Sequence, residues 1–537
     1  MKVKTVILLG LVGFVAFLSG GWLLQRGSAE AGSVYQRARM FDNVVHYVAD
    51  FYVDSVGEAE IYDMAIDGLL RELGDPYSFF LRPSDLEDMQ VQTTGNYGGI
   101  GVRIEITDGW ITVVVPLPET PAERAGFQSG DRIIRVEGRS TENWTVDQAV
   151  NSLRGEPNSE VSIEVLRAGV AQPIPFTIRR ERIHVRSVQY GNVLPGGIGY
   201  VQLATVSEQS ARELAEEVTR LRSAGARALV LDLRNNPGGL LDQGIEVSDL
   251  FLDRGQVVVE TRGRAPDATA TYRARSPQRW PDLPMIVLVN GFSASASEII
   301  AGALQDHDRA LVLGTLTFGK GLVQSLYRMG PTEALRLTTA NWYTPSGRQL
   351  ERPRRDDAVT TVAATRGPEA APPVERDSLP TFRTTGGRIV LGGGGIHPDR
   401  EVRLDTLSSA EQAFARVLGS QIPVYRDVMS TYALDVKAAN RVTDPDFEVT
   451  PRMRAEFLQR LRARDLPITD ELWAAARPLI DRQLGDEITR YVFGRPAEVR
   501  RQIVNDAQVL AAVDMLTRAR TAQQLFELAQ ARTSGGQ

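Results

Sequence analysis

The spacing of apolar positions divides the chain into four stretches after its first residues. Apolar residues recur at helical spacing from about 33 to 90. Short β-branched runs separated by glycine turns follow from about 91 to 182. Strand-like and helical patterns alternate from 183 to about 404, and helical spacing returns from about 405 to 530. Residues 351–385, rich in Arg, Asp, Pro, Ala and Thr, interrupt the third stretch as a predicted mobile insertion.

The third stretch has the element order of an α/β core. Strands are expected at Ile198–Leu203 and Ala228–Leu233, because each is a short apolar run. A helix is expected over Ser207–Ser223, with Ser207 as its N-cap. Strand, crossover helix and strand in sequence predict an α/β core.

The first 31 residues have the features of an export segment. Lys2 and Lys4 precede Val6–Leu24, an apolar stretch without a charge, and small residues follow near Ser28. The stretch is also long enough to cross a bilayer once. A cleaved secretory signal and an uncleaved inner-membrane anchor at residues 6–24 are therefore both left open. Either would place the rest of the chain in the bacterial periplasm or cell envelope.

The amino-acid composition excludes several kinds of catalytic and binding site. The chain has 537 residues, of which 42% are hydrophobic and 24% charged, as expected of a folded protein with more than one domain. A net charge of −6 argues against nucleic acid as a partner. The absence of Cys excludes thiolate nucleophiles and thiolate metal sites, and no HExxH motif is present. Neither a metal nor an organic cofactor is expected.

The run Asn290–Ile300 supplies the candidate nucleophile. Ser295 lies at the start of a predicted helix that follows a buried strand. A serine at such a place can attack a carbonyl while the N–H of Ala296 faces the developing oxyanion. The alternative is that Ser293, Ser295 and Ser297 only cap the helix.

A lysine and a glycine turn complete the candidate chemistry. Lys320 lies in the uncharged run Phe318–Val323, which suits the desolvated lysine that a general base requires. A phosphate-binding glycine loop is the alternative, but the run lacks the other residues of a Walker motif. Gly239 ends the turn Asn236–Gly239 after a strand and is the candidate second oxyanion donor, or part of a simple sharp turn.

The second stretch resembles a PDZ domain of bacterial processing proteases. The resemblance rests on Tyr97–Val102, Pro121–Gly126 and Gly130–Ile133. It implies that the loop of Gly98, Gly99, Ile100 and Gly101 binds a substrate's C-terminus. Glycines before an edge strand leave N–H groups free for a carboxylate, and the strand can pair with the peptide. The alternative is that these glycines only make a tight turn.

The motifs together resemble those of the carboxy-terminal processing peptidases, or tail-specific proteases. The matching segments are Asp232–Leu240, Ser293–Ile299, Gln305–His307, Thr317–Gln324, Tyr343–Gly347 and Gly395–Asp399. The resemblance implies that Ser295 is the nucleophile, Lys320 the general base and Gln324 its orienting residue. It assigns the oxyanion hole to Gly239 and Ala296. Gln324 alone would indicate nothing.

The resemblance also implies a fold, namely an α/β protease core of crotonase/Clp-like type with an inserted PDZ domain and helical N- and C-terminal regions. The expected regions are 1–31 (export), 32–90 (helical), 91–182 (PDZ), 183–404 (protease core) and 405–537 (helical). The expected activity is that of an exported serine endopeptidase acting on substrates bound by their C-termini. Homo-oligomerisation, an adaptor protein and membrane contact through the N-terminal segment are left open. A non-catalytic PDZ adaptor and an acyl-CoA enzyme of crotonase type are the rival functions.

Overall fold

The computed structural model describes residues 34–167, 169–352, 379–403 and 407–531. These residues form two compact units, one comprising those up to Pro83 together with Gln324–Thr338, and the other comprising the rest. The predicted export segment, and residues 353–378 of the predicted insertion, lie outside the described residues. Among the described helices, none has both the length and the apolar character needed to cross a membrane.

The first unit contains the predicted N-terminal helices. Its elements are α1 (residues 34–51), α2 (Glu58–Glu72) and β1 (Phe79–Leu81). The sequence pattern did not predict β1, which pairs antiparallel with residues 334–336 of a later strand. Val45 on α1 is buried, but Phe41, Val44 and Phe51 are exposed. Much of the apolar side of α1 therefore remains at the surface of this unit.

The small β-rich region begins after α3 (Pro83–Thr94). Its elements are β2 (Asn96–Gly99), β3 (Val102–Thr107), β4 (Trp110–Pro116), α4 (Pro121–Ala125), β5 (Arg132–Val136), β6 (Arg139–Ser140), α5 (Val146–Leu153), β7 (Glu160–Leu166), β8 (Ile174–Arg179) and β9 (Glu181–His184). Five strands form an antiparallel sheet in the order β3-β4-β5-β7-β8, with β6 paired to β5. The entering strand β2 and the leaving strand β9 form a separate antiparallel ribbon.

The local sequence accounts for the strands and helices of this region. Alternate residues of β7, at Val161, Ile163 and Val165, are buried in the region's core, as the two-residue period of a strand requires. A capping box between Thr145 and Gln148 begins α5. The short β-branched runs expected in this region are present as strands, and the Pro121–Gly126 segment contains α4.

The larger region is built around a six-stranded sheet. Its elements are β10 (Val188–Leu194), β11 (Ile198–Leu203), α6 (Ser210–Ser223), β12 (Ala228–Asp232), α7 (Leu241–Asp249), β13 (Val257–Gly263), β14 (Ala270–Arg273), β15 (Met285–Val289), α8 (Ala296–Asp306), β16 (Leu311–Gly314), β17 (Leu322–Arg328), β18 (Ala334–Tyr343), β19 (Thr381–Arg383), β20 (Ile389–Leu391) and β21 (Arg400–Glu401). Of β17 and β18, the residues within Gln324–Thr338 belong to the first unit. The sheet order is β10-β11-β12-β15-β16-β21, and all pairs are parallel except β10 with β11. The parallel strands and crossover helices make the predicted α/β core.

The prediction that Ser207 caps α6 was wrong. The helix begins at Ser210, and Gln209 occupies its N-cap position. The N–H of Ser207 donates to Ser210 Oγ at 2.7 Å, and its hydroxyl is 2.7 Å from that of Ser187. All three serines are buried. Ser207 is therefore part of a buried cluster of hydrogen-bonded hydroxyl groups. Its partners come from tertiary packing, which local capping preferences do not predict.

Eight helices form the described part of the C-terminal region. They are α9 (Ser409–Leu418), α10 (Ile422–Ala438), α11 (Pro451–Arg462), α12 (Asp470–Ala475), α13 (Arg477–Phe493), α14 (Arg495–Val504), α15 (Ala507–Arg518) and α16 (Ala522–Ala531). Helices α9–α13 bury their apolar side chains mainly against one another. Side chains of α14–α16, such as Val509 and Leu516, pack on Val230 and Leu288 of the central sheet. The last three helices thus cover one face of the α/β core, while α6–α8 cover the other.

Candidate active site

The candidate nucleophile occupies a strained turn between β15 and α8. Ser295 is the N-cap residue of α8, as the capping alternative requires, but its backbone has φ 55° and ψ −117°. Serine rarely adopts this conformation, and such strain is concentrated at functional sites. The hydroxyls of Ser293 and Ser297 instead donate to backbone carbonyls, at 2.8 and 3.1 Å. Both are buried, whereas Ser295 is partly exposed, so Ser295 is the serine that a substrate can reach.

The glycine turn after β12 lies directly against this serine. The carbonyl of Asn236 accepts the N–H of Ala294 at 3.0 Å. A Cβ on Gly238 would lie 2.8 Å from the nitrogen of Ala296, and one on Gly239 would lie 2.0 Å from the Val206 carbonyl oxygen. Within the described residues, the N–H groups of Gly239 and Ala296 donate no hydrogen bond. Two backbone donors are thus available beside Ser295, as an oxyanion hole requires.

A buried carboxylate, Glu298, joins the serine turn to the lysine loop. It is fully buried and accepts four hydrogen bonds, from Ser295 N–H (2.8 Å), Thr317 Oγ1 (2.5 Å), Gly319 N–H (2.7 Å) and Lys320 N–H (2.9 Å). Burial raises the pKa of the Glu298 carboxyl, and these hydrogen bonds oppose the rise. Glu298 therefore ties the backbone of Lys320 to that of Ser295 and satisfies four donors in an apolar interior.

Comparison with known proteins identifies the chain. The model of peptidase family S41 matches residues 197–359, and a PDZ domain model matches residues 112–167. The carboxy-terminal-processing protease of Bartonella bacilliformis is 38% identical over 347 residues, which are 63% of this chain and 79% of that protein. The chain belongs to the carboxy-terminal-processing protease family.

Two further known proteins are similar to this chain. The carboxyl-terminal-processing protease of a Synechocystis species is 38% identical over 295 residues, covering 54% of this chain and 68% of that protein. The solved photosystem II D1 C-terminal processing protease is 30% identical with a TM-score of 0.34, covering 58% of this chain and 83% of its own. The protein is thus a serine-type endopeptidase with a PDZ domain and has the predicted fold class. This family assignment favours a protease over an acyl-CoA enzyme or a non-catalytic PDZ adaptor.

The residue predicted to orient the lysine, Gln324, lies in the other compact unit. Ser295, Ala296, Gly239 and Lys320 belong to the second unit, whereas Gln324 belongs to the first. There, Gln324 Oε1 accepts a hydrogen bond from Arg336 Nη2 at 3.3 Å. Its buried Nε2 has no partner among the described residues. An amide with an unused donor is compatible with the orienting role, which stays a prediction.

The predicted carboxylate-binding loop of the PDZ domain offers backbone rather than side-chain contacts. Ile100 is 1% exposed and belongs to the core of that domain. The carbonyls of Ile100 and Gly101 accept N–H groups from Ala122 and Leu117, both at 2.9 Å. Their own N–H groups donate no hydrogen bond within the described residues. The following strand, β3, is at the edge of its sheet. These features suit carboxylate binding and β-augmentation.

Sequence analysis missed two groups beside the active site of the protease. One is Glu298, which lies within the Ser293–Ile299 motif and has no predicted role there. The other is the pair Asp232 and Arg234, where Arg234 Nη2 lies 2.6 Å from Asp232 Oδ2 and both residues are almost completely buried. Each of these charged residues lies in an apolar segment of the sequence. Because charges are rarely buried without partners, that pattern could have indicated a paired charge in the interior. The sequence did not indicate which partners these charges would meet.

Proposed function

We propose that this protease is exported, binds the C-terminal end of a protein substrate in its PDZ domain, and cleaves peptide bonds with Ser295 and Lys320. The observation that carries the proposal is the strained, accessible Ser295 beside two N–H groups without acceptors, those of Gly239 and Ala296. Such donors are worth most when they are fixed before the reaction begins. The bonds of Glu298 and Asn236 supply that rigidity.

Acylation begins with a proton transfer. The neutral Nζ of Lys320 takes the proton from Ser295 Oγ as that oxygen bonds to the carbonyl carbon of the substrate. The carbonyl electron pair moves onto its oxygen, which the N–H groups of Gly239 and Ala296 stabilise. When the C–N bond breaks, the leaving amine takes the proton from the Lys320 ammonium group. The product at this stage is an ester on Ser295.

Deacylation repeats these steps with water. Water gives a proton to Lys320 and adds to the ester carbon, and the same N–H groups hold the second oxyanion. Breakdown returns a proton to Ser295 Oγ and releases the new C-terminus. The orienting role predicted for Gln324 belongs to the same proposal.

The test compares the wild type with Ser295→Ala on an unfolded model protein that has an apolar C-terminus. Loss of a nucleophile that acts in a catalytic unit should lower kcat by about three orders of magnitude or more. Ser276→Ala, at an exposed position, controls for preparation and contaminating protease. A fluorophosphonate probe should label the wild type and not Ser295→Ala. Cleavage retained by Ser295→Ala would exclude Ser295 as the nucleophile.

The finer features of organisation belong to the same proposal. Residues 1–31 are the export segment, cleaved or retained as an anchor, and the domain limits are those predicted from the sequence. The exposed apolar side chains of α1 support a homo-oligomer formed through the N-terminal helical region. Cell fractionation of the full chain beside one lacking residues 1–31 tests export. A purely cytoplasmic full-length protein would refute it.

A further inference from the structure

Arg234 connects the glycine turn of the active site to the C-terminal helices. It is 10% exposed in its side chain and lies two residues after the last residue of β12. Its Nη1 donates to Asp506 Oδ2 at 2.6 Å and to Gln508 Oε1 at 2.9 Å. Asp506 is the N-cap of α15 and also accepts the N–H groups of Gln508 and Val509. The largely buried guanidinium of Arg234 thus bonds to a carboxylate 272 positions further along the chain.

Two carboxylates face this guanidinium from opposite elements. Arg234 Nε and Nη2 bond to Asp232, whose Oδ2 also accepts the hydroxyl of Tyr200 at 2.6 Å. Burial lowers the pKa of Arg234, but the charges of Asp232 and Asp506 outweigh burial and raise it. Asp506 therefore adds negative charge beside the Arg234 guanidinium, since the other carboxylate, Asp232, also accepts the hydroxyl of Tyr200. Without Asp506, the Nη1 side of the guanidinium would keep only the neutral Gln508.

The chain between Arg234 and Gly239 has little freedom to absorb a shift of Arg234. Asn235 has a φ of 58°, and its N–H donates to Asn290 Oδ1 at 3.0 Å. The next residue, Asn236, accepts the N–H of Ala294, and its Oδ1 accepts the N–H of Gly238 at 2.9 Å. Displacement at Arg234 would therefore be passed to the N–H of Gly239 through a short, hydrogen-bonded turn.

We infer that Asp506 and Gln508 are positioning residues for peptide-bond cleavage, because they hold, through Arg234, the turn that presents the Gly239 N–H. The inference rests on the proposed role of that N–H in the oxyanion hole. It gives the last helices of the chain a task beyond covering the sheet. The first residues of α15 thus help to set the geometry of the active site without touching the substrate.

Asp506→Asn is the decisive variant. Asparagine is as good an N-cap as aspartate, so α15 keeps its cap while Arg234 loses a charged acceptor. Because the oxyanion donor is displaced rather than deleted, kcat should fall by about tenfold, less than for outright loss of a donor. KM should stay within about twofold, since ground-state binding is untouched. Gln508→Met removes the neutral acceptor and should act in the same direction with a smaller effect.

The matched control is Asp514→Asn on the same helix. Asp514 is about half exposed and pairs with Arg518 at 3.5 Å. The kcat of the Asp514→Asn variant should therefore equal that of the wild type. A second measurement follows amide hydrogen exchange of residues 234–240 in the Ser295→Ala background, where no catalysis is needed. Asp506→Asn should speed this exchange, and Asp514→Asn should not.

The two measurements separate this inference from the proposed function. Faster exchange together with a lower kcat supports the positioning role. Unchanged exchange overturns it, and so does faster exchange with an unchanged kcat. If Ser295→Ala itself retains cleavage, the proposed function fails, while the exchange data still report whether Asp506 holds the turn.

Discussion

Ser295 and Lys320 donate their backbone N–H groups to the same oxygen atom, Oε2 of Glu298, at 2.8 and 2.9 Å. The other oxygen, Oε1, accepts the Thr317 hydroxyl and the Gly319 N–H. One buried side chain therefore fixes the separation of the turn that carries the candidate nucleophile and the loop that carries the candidate base.

Glu298→Gln should damage catalysis more than it damages the fold. An amide has one acceptor oxygen, and its NH₂ group would face N–H donors where the second oxygen now accepts two bonds. A small displacement of the reacting groups can lower the rate about 100-fold, and we expect kcat to fall by about that factor. The matched control is Glu411→Gln, because Glu411 is also a buried capping-box glutamate that accepts its N-cap N–H at 2.8 Å. Equal activity of the two variants would contradict the linking role of Glu298.

Lys320→Arg should be nearly as inactive as Lys320→Ala. Arginine keeps the positive charge but cannot lose its proton at usable pH, so it cannot act as a base. The activity of the wild type should rise as pH increases, because only neutral lysine accepts the serine proton. Initial rates of the wild type and of both variants across a pH series test this. Near-normal turnover by Lys320→Arg would show that the residue acts through its charge alone.

Gly238→Ala should abolish most activity through a steric effect. Gly238 has φ 90°, and an added Cβ would lie 2.9 Å from the Cβ of Ser295. Gly225→Ala is the control, since Gly225 has φ 95° and nothing within 4 Å of the added Cβ. Both variants should lose about 1–2 kcal/mol of stability from the left-handed backbone. Thermal unfolding and peptide cleavage separate the two effects, and a fully active Gly238→Ala would contradict close contact with Ser295.

Peptides with a free C-terminal carboxylate should bind the PDZ domain more tightly than their amides. The N–H groups of Ile100 and Gly101 are the expected donors, and amidation removes both the charge and an acceptor oxygen. Calorimetry with Ser295→Ala, which binds without cleaving, gives the two affinities under one condition. Equal affinities would exclude this mode of recognition.

Local pattern was sufficient for most of the fold. One apolar run marked β11 at its observed bounds, and another marked β12 to within one residue. The sequence pattern did not mark β1, and it placed the N-cap of α6 at Ser207. Short or irregular elements such as β1 have too few residues for their period to show, and distant pairing stabilises them.

The sequence by itself was sufficient to predict the chemistry of this protease, because a serine after a buried strand, a lysine in an uncharged loop and a glycine turn are each visible in a few adjacent residues. The tertiary structure alone decided how these pieces meet. It placed Gly238 against Ser295, gave Glu298 its four donors and brought Asp506 to Arg234. Buried charges and close backbone contacts are satisfied by whichever groups folding brings near them, and the spacing of residues along the chain does not encode those partners.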